Sequence, residues 1–343
     1  MTVAAAAAPS TANPFIPKHG HEMSTSSRHD AGMSNDAFID RTDYLPGVPC
    51  WIDTEQADPE AAAEFYGGVF GWEFENKLPP GLDDKYLVAR LHGFEVAAIA
   101  SPTPAVTGTP TWNTYVSVVD ADRTTAQAVA LGAEVLVAPV DAGPPGAIAG
   151  RWAALTDPDG AHVRLWQPGY RHGAQLVNHP GTWNSSDLAT NNADGARAFY
   201  GAIFGWEADP VEFGGGESDG DAFMWRLPGY GDFLAIRDPD IKRRHAEPWI
   251  PAGFSDAIGW MTQVPDTSSQ TQPTVRTPRW SVTFSVNGTD AVVEQAVKLG
   301  GTVVSPPSDR GGGVVRVATL KDPQGAEFTI GTFDPTAMSE DQA

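Results

Sequence analysis

The chain has 343 residues, enough for two domains with separate hydrophobic cores, and its 41% hydrophobic content is typical of a globular protein. Acidic residues outnumber basic ones 43 to 22, and a net charge of −21 argues against binding to nucleic acids or anionic membranes, which require clustered Lys and Arg. The single cysteine, Cys50, excludes an internal disulfide and fits a reducing compartment.

The first 44 residues are rich in Ala, Ser, Thr and His and show no apolar periodicity, which predicts a disordered tail. No basic segment precedes the alanines near Met1, so a signal peptide is not expected. No apolar run approaches the roughly 18 residues that span a bilayer. These features together predict a cytoplasmic protein.

A strand is predicted at 48–54, and Asp58 and Pro59 then have the pattern of an N-cap followed by proline at the first helical position. The helix is expected to end near Gly71. Two β-rich segments, 86–91 and 95–100, follow between Gly and Pro residues. This part of the chain therefore predicts a strand, a helix and further strands in that order.

The same order returns further along the chain. Residues 113–119 alternate between apolar and polar, and Asp120 has the position of an N-cap for a helix that stops at Gly132. Strands are then predicted at 152–156 and 162–166. The two units together predict a first domain at 45–170, followed by a linker at 171–179.

The second half of the chain repeats the first. The run AEFYGGVFGW at 63–72 returns as RAFYGAIFGW at 197–206, and Asp157–Gly160 returns as Asp322–Gly325. The repeat predicts four modules at 46–104, 110–168, 180–238 and 277–334. Aligning Ala98-Ile99 with Ala235-Ile236 predicts a second domain at 180–335 with an insertion at about 238–276, and a flexible tail at 336–343.

These motifs resemble those of the vicinal oxygen chelate superfamily, which includes glyoxalase I, bleomycin-resistance proteins and extradiol dioxygenases. The resemblance is carried by Phe65-Tyr66, by Phe70–Trp72, by the Asp157–Gly160 turn and by their second-copy equivalents, and it covers about 46–334. It implies an α+β fold in which four βαβββ modules form two cupped mixed sheets with helices on the convex side. Fold alone does not establish function.

Strand alternation then predicts which side chains face each cup, because successive residues point to opposite faces. In the first cup the expected residues are Trp51, Asp53, Asn113, Tyr115, Ser117, His162, Arg164 and Trp166. In the second cup they are Ser185, Asp187, Ser281, Thr283, Ser285, Glu327 and Thr329. The first cup has more aromatic residues, which predicts that it is the one that binds a ligand.

Metal-dependent members of the superfamily carry His, Gln or acidic ligands at four equivalent positions. Three of these positions hold other residue types here: Trp51, Asn113 and Arg164 in the first domain, and Ser185, Ser281 and Thr329 in the second. Glu95 and Asp232 are the candidates for the remaining position. A first-row divalent metal needs three or four His, carboxylate or thiolate ligands. We therefore expect no metal or other cofactor, with a displaced site using Asp53 and His162, or Asp187 and Glu327, as the alternative.

Two interpretations of the first cup stay open. In one, Arg164 holds a substrate carboxylate or enolate while Asp53 or His162 moves a proton, so that these three residues are catalytic. The cup-facing residues Trp51, Asn113, Tyr115, Ser117 and Trp166, and in the second cup Asp187, Ser281, Thr283 and Glu327, would then contact the ligand. In the other, Asp53 and Arg164 form a structural ion pair.

The functional hypotheses differ in class. The first is a metal-free protein that binds a small organic molecule. The second is an enzyme of glyoxalase, dioxygenase or hydroxylase type that uses a displaced metal or acid–base chemistry, and the third is a scaffold for a protein partner that contacts the basic segment 242–245 of the insertion. The insertion itself is either a lid or a surface excursion anchored by Trp249 and Phe254. A monomer is expected, with a homodimer as the alternative, because the modules already pair within one chain.

Overall fold

The computed structural model describes residues 43–103, 108–211, 221–247, 250–264, 277–310 and 313–334. The segments predicted to be a disordered start and a flexible end lie outside these residues, except for Asp43 and Tyr44. So do Trp249 and the 265–276 part of the predicted insertion. Tyr44 is buried, and its hydroxyl donates to the Ala174 carbonyl oxygen at 2.7 Å, so the ordered packing begins inside the segment predicted to be disordered.

The first domain contains two modules of one helix and four strands each. Strand β1, helix α1 and strands β2, β3 and β4 make up the first module: Pro49–Glu55, Pro59–Phe70, Glu73–Asn76, Tyr86–Leu91 and Phe94–Ala100. Strand β5, helix α2 and strands β6, β7 and β8 make up the second: Trp112–Ser117, Ala121–Ala130, Glu134–Ala142, Gly150–Thr156 and His162–Pro168.

The second domain repeats this order with extra helices in its first module. That module contains strand β9, helix α3, strands β10 and β11, helices α4 and α5, a short 3-10 helix and strand β12: Trp183–Thr190, Ala193–Phe204, Glu207–Pro210, Asp221–Arg226, Tyr230–Ala235, Ile241–Arg244, Phe254–Asp256 and Ala257–Gln263. The last module contains strand β13, helix α6 and strands β14, β15 and β16: Arg279–Ser285, Thr289–Lys298, Thr302–Arg310, Val315–Lys321 and Glu327–Phe333.

Each domain forms one eight-stranded mixed sheet. The strand orders are β2-β3-β4-β1-β5-β8-β7-β6 and β10-β11-β12-β9-β13-β16-β15-β14, so both sheets have the same topology. In each sheet the first strands of the two modules pair antiparallel at the centre, as β1 with β5 and β9 with β13. This arrangement confirms the predicted tandem α+β fold.

The predicted position of the insertion is wrong. Residues 233–236, which the repeat alignment places in a strand, belong to or directly follow helix α4, and the strand equivalent to β4 is β12. The extra residues in the described chain therefore lie between Arg226 and Ala257. Because Asp232 lies in α4, it is also not the counterpart of Glu95.

The helix ends follow from local sequence. Asp58 accepts a hydrogen bond from the Ala61 amide and Pro59 begins α1, as predicted. Gly71 ends this helix at φ 75°, a left-handed conformation that glycine adopts without a steric penalty. None of the helices in the described part of the chain is long and apolar enough to cross a bilayer.

The two sheets pack with their helix-bearing faces toward each other. One hydrophobic core joins α1 of the first domain to β13 and β16 of the second, where Phe70 contacts Phe284 with ring centroids 4.9 Å apart. The other core joins α3 of the second domain to β7 and β8 of the first. We call the opposite face of each sheet, turned away from the helices, its cup face. Both cup faces therefore lie on the outside of the domain pair.

Two equivalent hydrogen-bond chains cross the boundary between the domains. The Trp112 indole donates to the Tyr66 hydroxyl at 2.9 Å, and that hydroxyl donates to Asp322 of the other domain at 3.0 Å. In the reciprocal chain Trp280 donates to Tyr200, which donates to Asp157 at 2.8 Å. The aromatic helix motif and the Asp-Pro-x-Gly turn of the sequence are therefore hydrogen-bond partners across the two domains.

Replacing Tyr66 by Phe tests this connection. The change leaves the Asp322 carboxylate and the Trp112 indole, both buried, each short of a hydrogen-bond partner, so Tyr66→Phe is expected to lower the free energy of unfolding by about 1–3 kcal/mol in urea denaturation. Tyr170→Phe, at a residue that is 66% exposed, is the control and should change it by less than about 0.5 kcal/mol. Equal effects of the two changes would contradict the prediction.

Candidate functional site

The centre of the first cup face is a buried carboxylate with several donors. Asp53 on β1 accepts hydrogen bonds from the Asn113 amide at 3.0 Å and the Tyr115 hydroxyl at 2.6 Å. Arg164 on β8 approaches the same carboxylate at 3.4 Å. Asp53 is 1% exposed and Arg164 4%. The alternation of the strands thus brings together four of the predicted first-cup residues. Burial raises the pKa of Asp53, although its hydrogen-bond partners and Arg164 oppose that rise.

Arg164 has a second acidic partner that the sequence analysis missed. Its other terminal nitrogen donates to Glu55 at 2.6 Å, and the guanidinium lies 5.4 Å from the ring centroids of both Tyr115 and Trp152. The cation is therefore held by two carboxylates and two aromatic rings. A guanidinium so fully engaged is not available to a substrate anion.

The two tryptophans predicted for the first cup contact Arg171, the first residue of the predicted linker. The Trp51 indole donates to the Tyr86 hydroxyl at 3.0 Å, and the Arg171 guanidinium lies 4.7 Å above the Trp51 ring. Trp166 donates to the Arg171 carbonyl oxygen at 3.0 Å. The Trp166 ring also lies so close to Gly150 that a Cβ there would come within 2.4 Å of it. The first cup is thus closed by its own side chains and by residues next to β8.

The remaining predicted residues of this cup do not extend the cluster. Ser117 is buried and its backbone pairs with Val48. His162, at the start of β8, is exposed and forms no hydrogen bond to Asp53 or Arg164. Burial of part of the ring and the charge of Arg164 lower the pKa of His162. Of the three predicted catalytic residues, the structure brings two together and leaves His162 apart.

The second cup face has an acid at the position equivalent to Asp53. Asp187 on β9 accepts hydrogen bonds from the hydroxyls of Ser185 at 3.0 Å and Thr283 at 2.7 Å, and the Ser281 hydroxyl donates to its backbone oxygen. The residue is half-buried. Desolvation raises the pKa of Asp187 to about 6, although these hydroxyls and Arg310 lower it.

The strand registers relate the two cups residue by residue. Asp53 and Asp187 have equivalent pairings, and the large side chains around Asp53 are replaced around Asp187 by small ones. The replacements, from first to second domain, are Trp51 by Ser185, Tyr115 by Thr283, Trp152 by Val317, Arg164 by Thr329 and Trp166 by Gly331. All five second-domain residues are half-buried, whereas four of their five counterparts are buried.

Two residues of the second cup face were not predicted. Trp260 on β12 is in register with Asp187 and shares its face, at the position that Ala98 has in the first domain. The misplaced insertion concealed it, although AIGWMTQ at 257–263 has the apolar character of a strand. Arg310, at the end of β14, pairs with Val315, which the β15–β16 register places on the same face.

One rim of this cup face carries an ion-pair cluster. Glu327 accepts a hydrogen bond from Arg279 at 2.9 Å and lies 3.9 Å from Lys321. These three residues are each between 29% and 43% exposed. Glu327 is therefore already paired with cations rather than directed at Asp187, its predicted partner in a displaced metal site.

The insertion packs beside the second cup. Phe254 lies 6.2 Å from the Trp260 ring, as expected for an anchor residue. The basic segment is neutralised locally, because Lys242, Arg243 and Arg244 pair with Asp232, Asp240 and Asp238. A cavity of about 520 Å³ within the insertion is lined by Asp232 and Lys242, which pair with each other, and by His245, Glu247 and Asp256. We place the candidate site on the second cup face because Asp187, the equivalent of the buried Asp53, lies there among small side chains.

The donor sets around the two acids do not fit a transition metal. Across the described ranges no three His, Cys, Asp or Glu side chains converge. The neighbours of Asp187 are hydroxyl groups, and those of Asp53 are an amide, a phenol and a guanidinium. A first-row divalent ion prefers carboxylate, imidazole or thiolate ligands. Neither donor set is therefore suited to hold such an ion.

Comparison with known proteins agrees with this architecture. The glyoxalase-like domain family matches residues 51–166 and 186–331, one match in each domain. The chain belongs to the glyoxalase-like family of the vicinal oxygen chelate fold. It is 34% identical over 293 residues to CFP32 of Mycobacterium tuberculosis, a match that covers 84% of this chain and 96% of that protein. The name of CFP32 describes it as a glyoxylase by inference.

A second relative and a solved structure also match the chain. The anthracycline biosynthesis protein DnrV of Streptomyces peucetius is 30% identical over 305 residues, covering 84% of this chain and 94% of DnrV. A variant of homoprotocatechuate 2,3-dioxygenase from B. fuscum in complex with HPCA has a TM-score of 0.51 at 12% identity, covering 89% of this chain and 77% of that one. The structural likeness shows the shared fold.

Removing the cation of the first cup tests its structural role. Arg164→Gln leaves Asp53 and Glu55 buried without their counter-charge, so the free energy of unfolding in urea at pH 7 is expected to fall by about 3–5 kcal/mol. Arg151→Gln is the matched control, at a half-buried arginine that also pairs with two acids; it should cost far less, because those acids are exposed and the pairs are screened by solvent. A loss below 1 kcal/mol for Arg164→Gln would contradict a structural role.

The raised pKa of Asp187 makes stability depend on pH in a known direction. The folded-state pKa of about 6 lies above the ordinary 3.8, so the protonated group stabilises the fold at low pH, and this contribution is lost as the pH rises through 6. Between pH 5 and pH 7.5 the free energy of unfolding of the wild-type protein should fall by about 1 kcal/mol relative to that of Asp187→Asn. Urea denaturation of both proteins at the two pH values measures this, and a constant difference would show an unshifted pKa.

Proposed function

We propose that this protein binds a small organic molecule on the second cup face, beside Asp187, without a resident transition metal. The observation that carries the proposal is the replacement of five large side chains of the first cup by Ser185, Thr283, Val317, Thr329 and Gly331 in the second. The first cup is filled by its own residues, while the second has smaller, half-buried residues around a polar floor.

The floor of the second cup determines the hydrogen-bonding character of the ligand. Asp187 accepts hydrogen bonds and is half-buried, so a ligand group that donates a hydrogen bond gains more here than at an exposed acid. Trp260 adds a flat apolar surface on the neighbouring strand. The name of DnrV assigns that relative to anthracycline biosynthesis, which supports a small organic compound as the ligand.

A second candidate function is proton transfer. A carboxyl group with a pKa of about 6 exchanges protons readily near neutral pH, which suits a general base. In this case Asp187 takes the role that the sequence analysis gave to Asp53 and His162. An Asp187→Asn variant that binds the ligand unchanged and no longer converts it would favour the enzyme over the binding protein.

The experiment for the binding function rebuilds the first cup in the second domain. Thr329→Arg places a guanidinium where Arg164 lies in the first domain, next to Asp187, and is expected to fill the space and block binding. Saturation-transfer NMR with a set of small phenols, aromatic acids, aromatic alcohols and aromatic amines should show at least one compound that binds the wild-type protein. Its affinity should fall at least ~10-fold in the variant, about 1.4 kcal/mol.

One control distinguishes a blocked site from loss of the fold, and a second distinguishes metal-free from metal-dependent binding. Thr302→Arg makes the same change at an exposed position of β14 and should leave binding intact. Elemental analysis of protein purified without chelator or nickel is expected to find less than 0.1 equivalents of iron, manganese, nickel or zinc, and added chelator should not alter binding. Binding that survives Thr329→Arg, or one equivalent of bound metal, would contradict the proposal.

A further inference from the structure

The two domains hold the same carboxylate in the same place, but only one of them supplies its cation. In the first domain the guanidinium of Arg164 reaches Asp53 from β8. In the second domain the residue at that position of β16 is Thr329, and Asp187 is bonded only to hydroxyl groups in the described chain. The first domain thus shows which chemical group complements this carboxylate within this fold, and the second domain lacks it.

The aromatic surroundings of that group are also partly reproduced. Arg164 lies against the rings of Tyr115 and Trp152. Both rings are absent from the second cup, but Trp260 stands beside Asp187 on the adjacent strand, where the first domain has Ala98. A carboxylate attracts a cation by charge, and an aromatic ring on the same sheet face adds to that attraction through its quadrupole where the cation reaches it.

We infer that the ligand of the second cup carries a protonated nitrogen, an ammonium or amidinium group, which pairs with Asp187 in the way that Arg164 pairs with Asp53. This inference rests on the proposed binding function and specifies the ligand class. The remainder of the ligand occupies the space left by the replaced side chains, from Ser185 and Thr283 on the central strands to Val317 on β15.

The other charges on this cup face define how the inference is tested. Arg279 and Lys321 share Glu327 at the rim, so their combined field is partly neutralised. Arg310 is exposed, has no ion-pair partner among the described residues, and lowers the pKa of Asp187. Its charge is screened by solvent and weakly opposes a bound cation, whereas it would favour a bound anion.

The experiment compares two probes of the same shape. Benzylamine is protonated at pH 7.5 and benzyl alcohol is neutral, while Asp187 is ionised at this pH. The affinity for benzylamine, measured by NMR titration, is expected to exceed that for benzyl alcohol by ~10-fold, as for a hydrogen bond between charged groups. Asp187→Asn should remove this preference, and Arg310→Gln should strengthen benzylamine binding about two- to five-fold.

Glu327→Gln is the matched control, because it removes an acid from the same face at the rim. This variant should leave the preference for benzylamine unchanged. If Glu327→Gln removes the preference and Asp187→Asn does not, the cation binds elsewhere and the inference is overturned. Equal binding of the two probes, or weaker benzylamine binding in Arg310→Gln, would also overturn it while leaving the binding function intact. If no compound of the wider NMR set binds, both proposals fail.

Discussion

The fold depends on two reciprocal hydrogen bonds that join Tyr66 to Asp322 and Tyr200 to Asp157 across the domains. Each tyrosine lies on the first helix of one domain and each aspartate begins the last turn of the other, so neither domain completes its own core. The helix-bearing faces of both sheets are buried in this packing. The two cup faces are therefore the sheet surfaces that lie on opposite outer sides of the domain pair.

The two cups show how one framework can be either filled or open. In the first, Arg164, Tyr115 and Asn113 surround Asp53 and satisfy it from within the chain. A buried ion pair of this kind is rarely more stabilising than apolar side chains of the same volume, because desolvation offsets much of the attraction. In this protein the ion pair occupies the first cup, whereas the equivalent positions of the second domain hold the smaller residues Thr283 and Thr329.

Much of this could be predicted from the sequence, because strand alternation and the repeat are local signals. Alternation along two separate strands predicted that the side chains of Asp53 and Arg164 point to the same face of the sheet. Asp58 and Gly71 predicted the two ends of the first helix. The location of Trp260 could not be predicted, since matching the repeat across an insertion relied on a short apolar run that is helical in the structure. Glu55 was missed because its role depends on the reach of Arg164, a property of tertiary packing.

Asp187 is the residue whose presence the fold does not explain. A half-buried carboxyl with a pKa near 6 lowers stability at neutral pH, and its hydroxyl partners would serve a neutral side chain equally well. Asp53 is compensated by a guanidinium, an amide and a phenol, whereas Asp187 has no comparable cation in the described cup. The two equivalent aspartates thus differ in the residue that faces them from the last strand of their domain: Arg164 pairs with Asp53, whereas a threonine, Thr329, holds that position near Asp187.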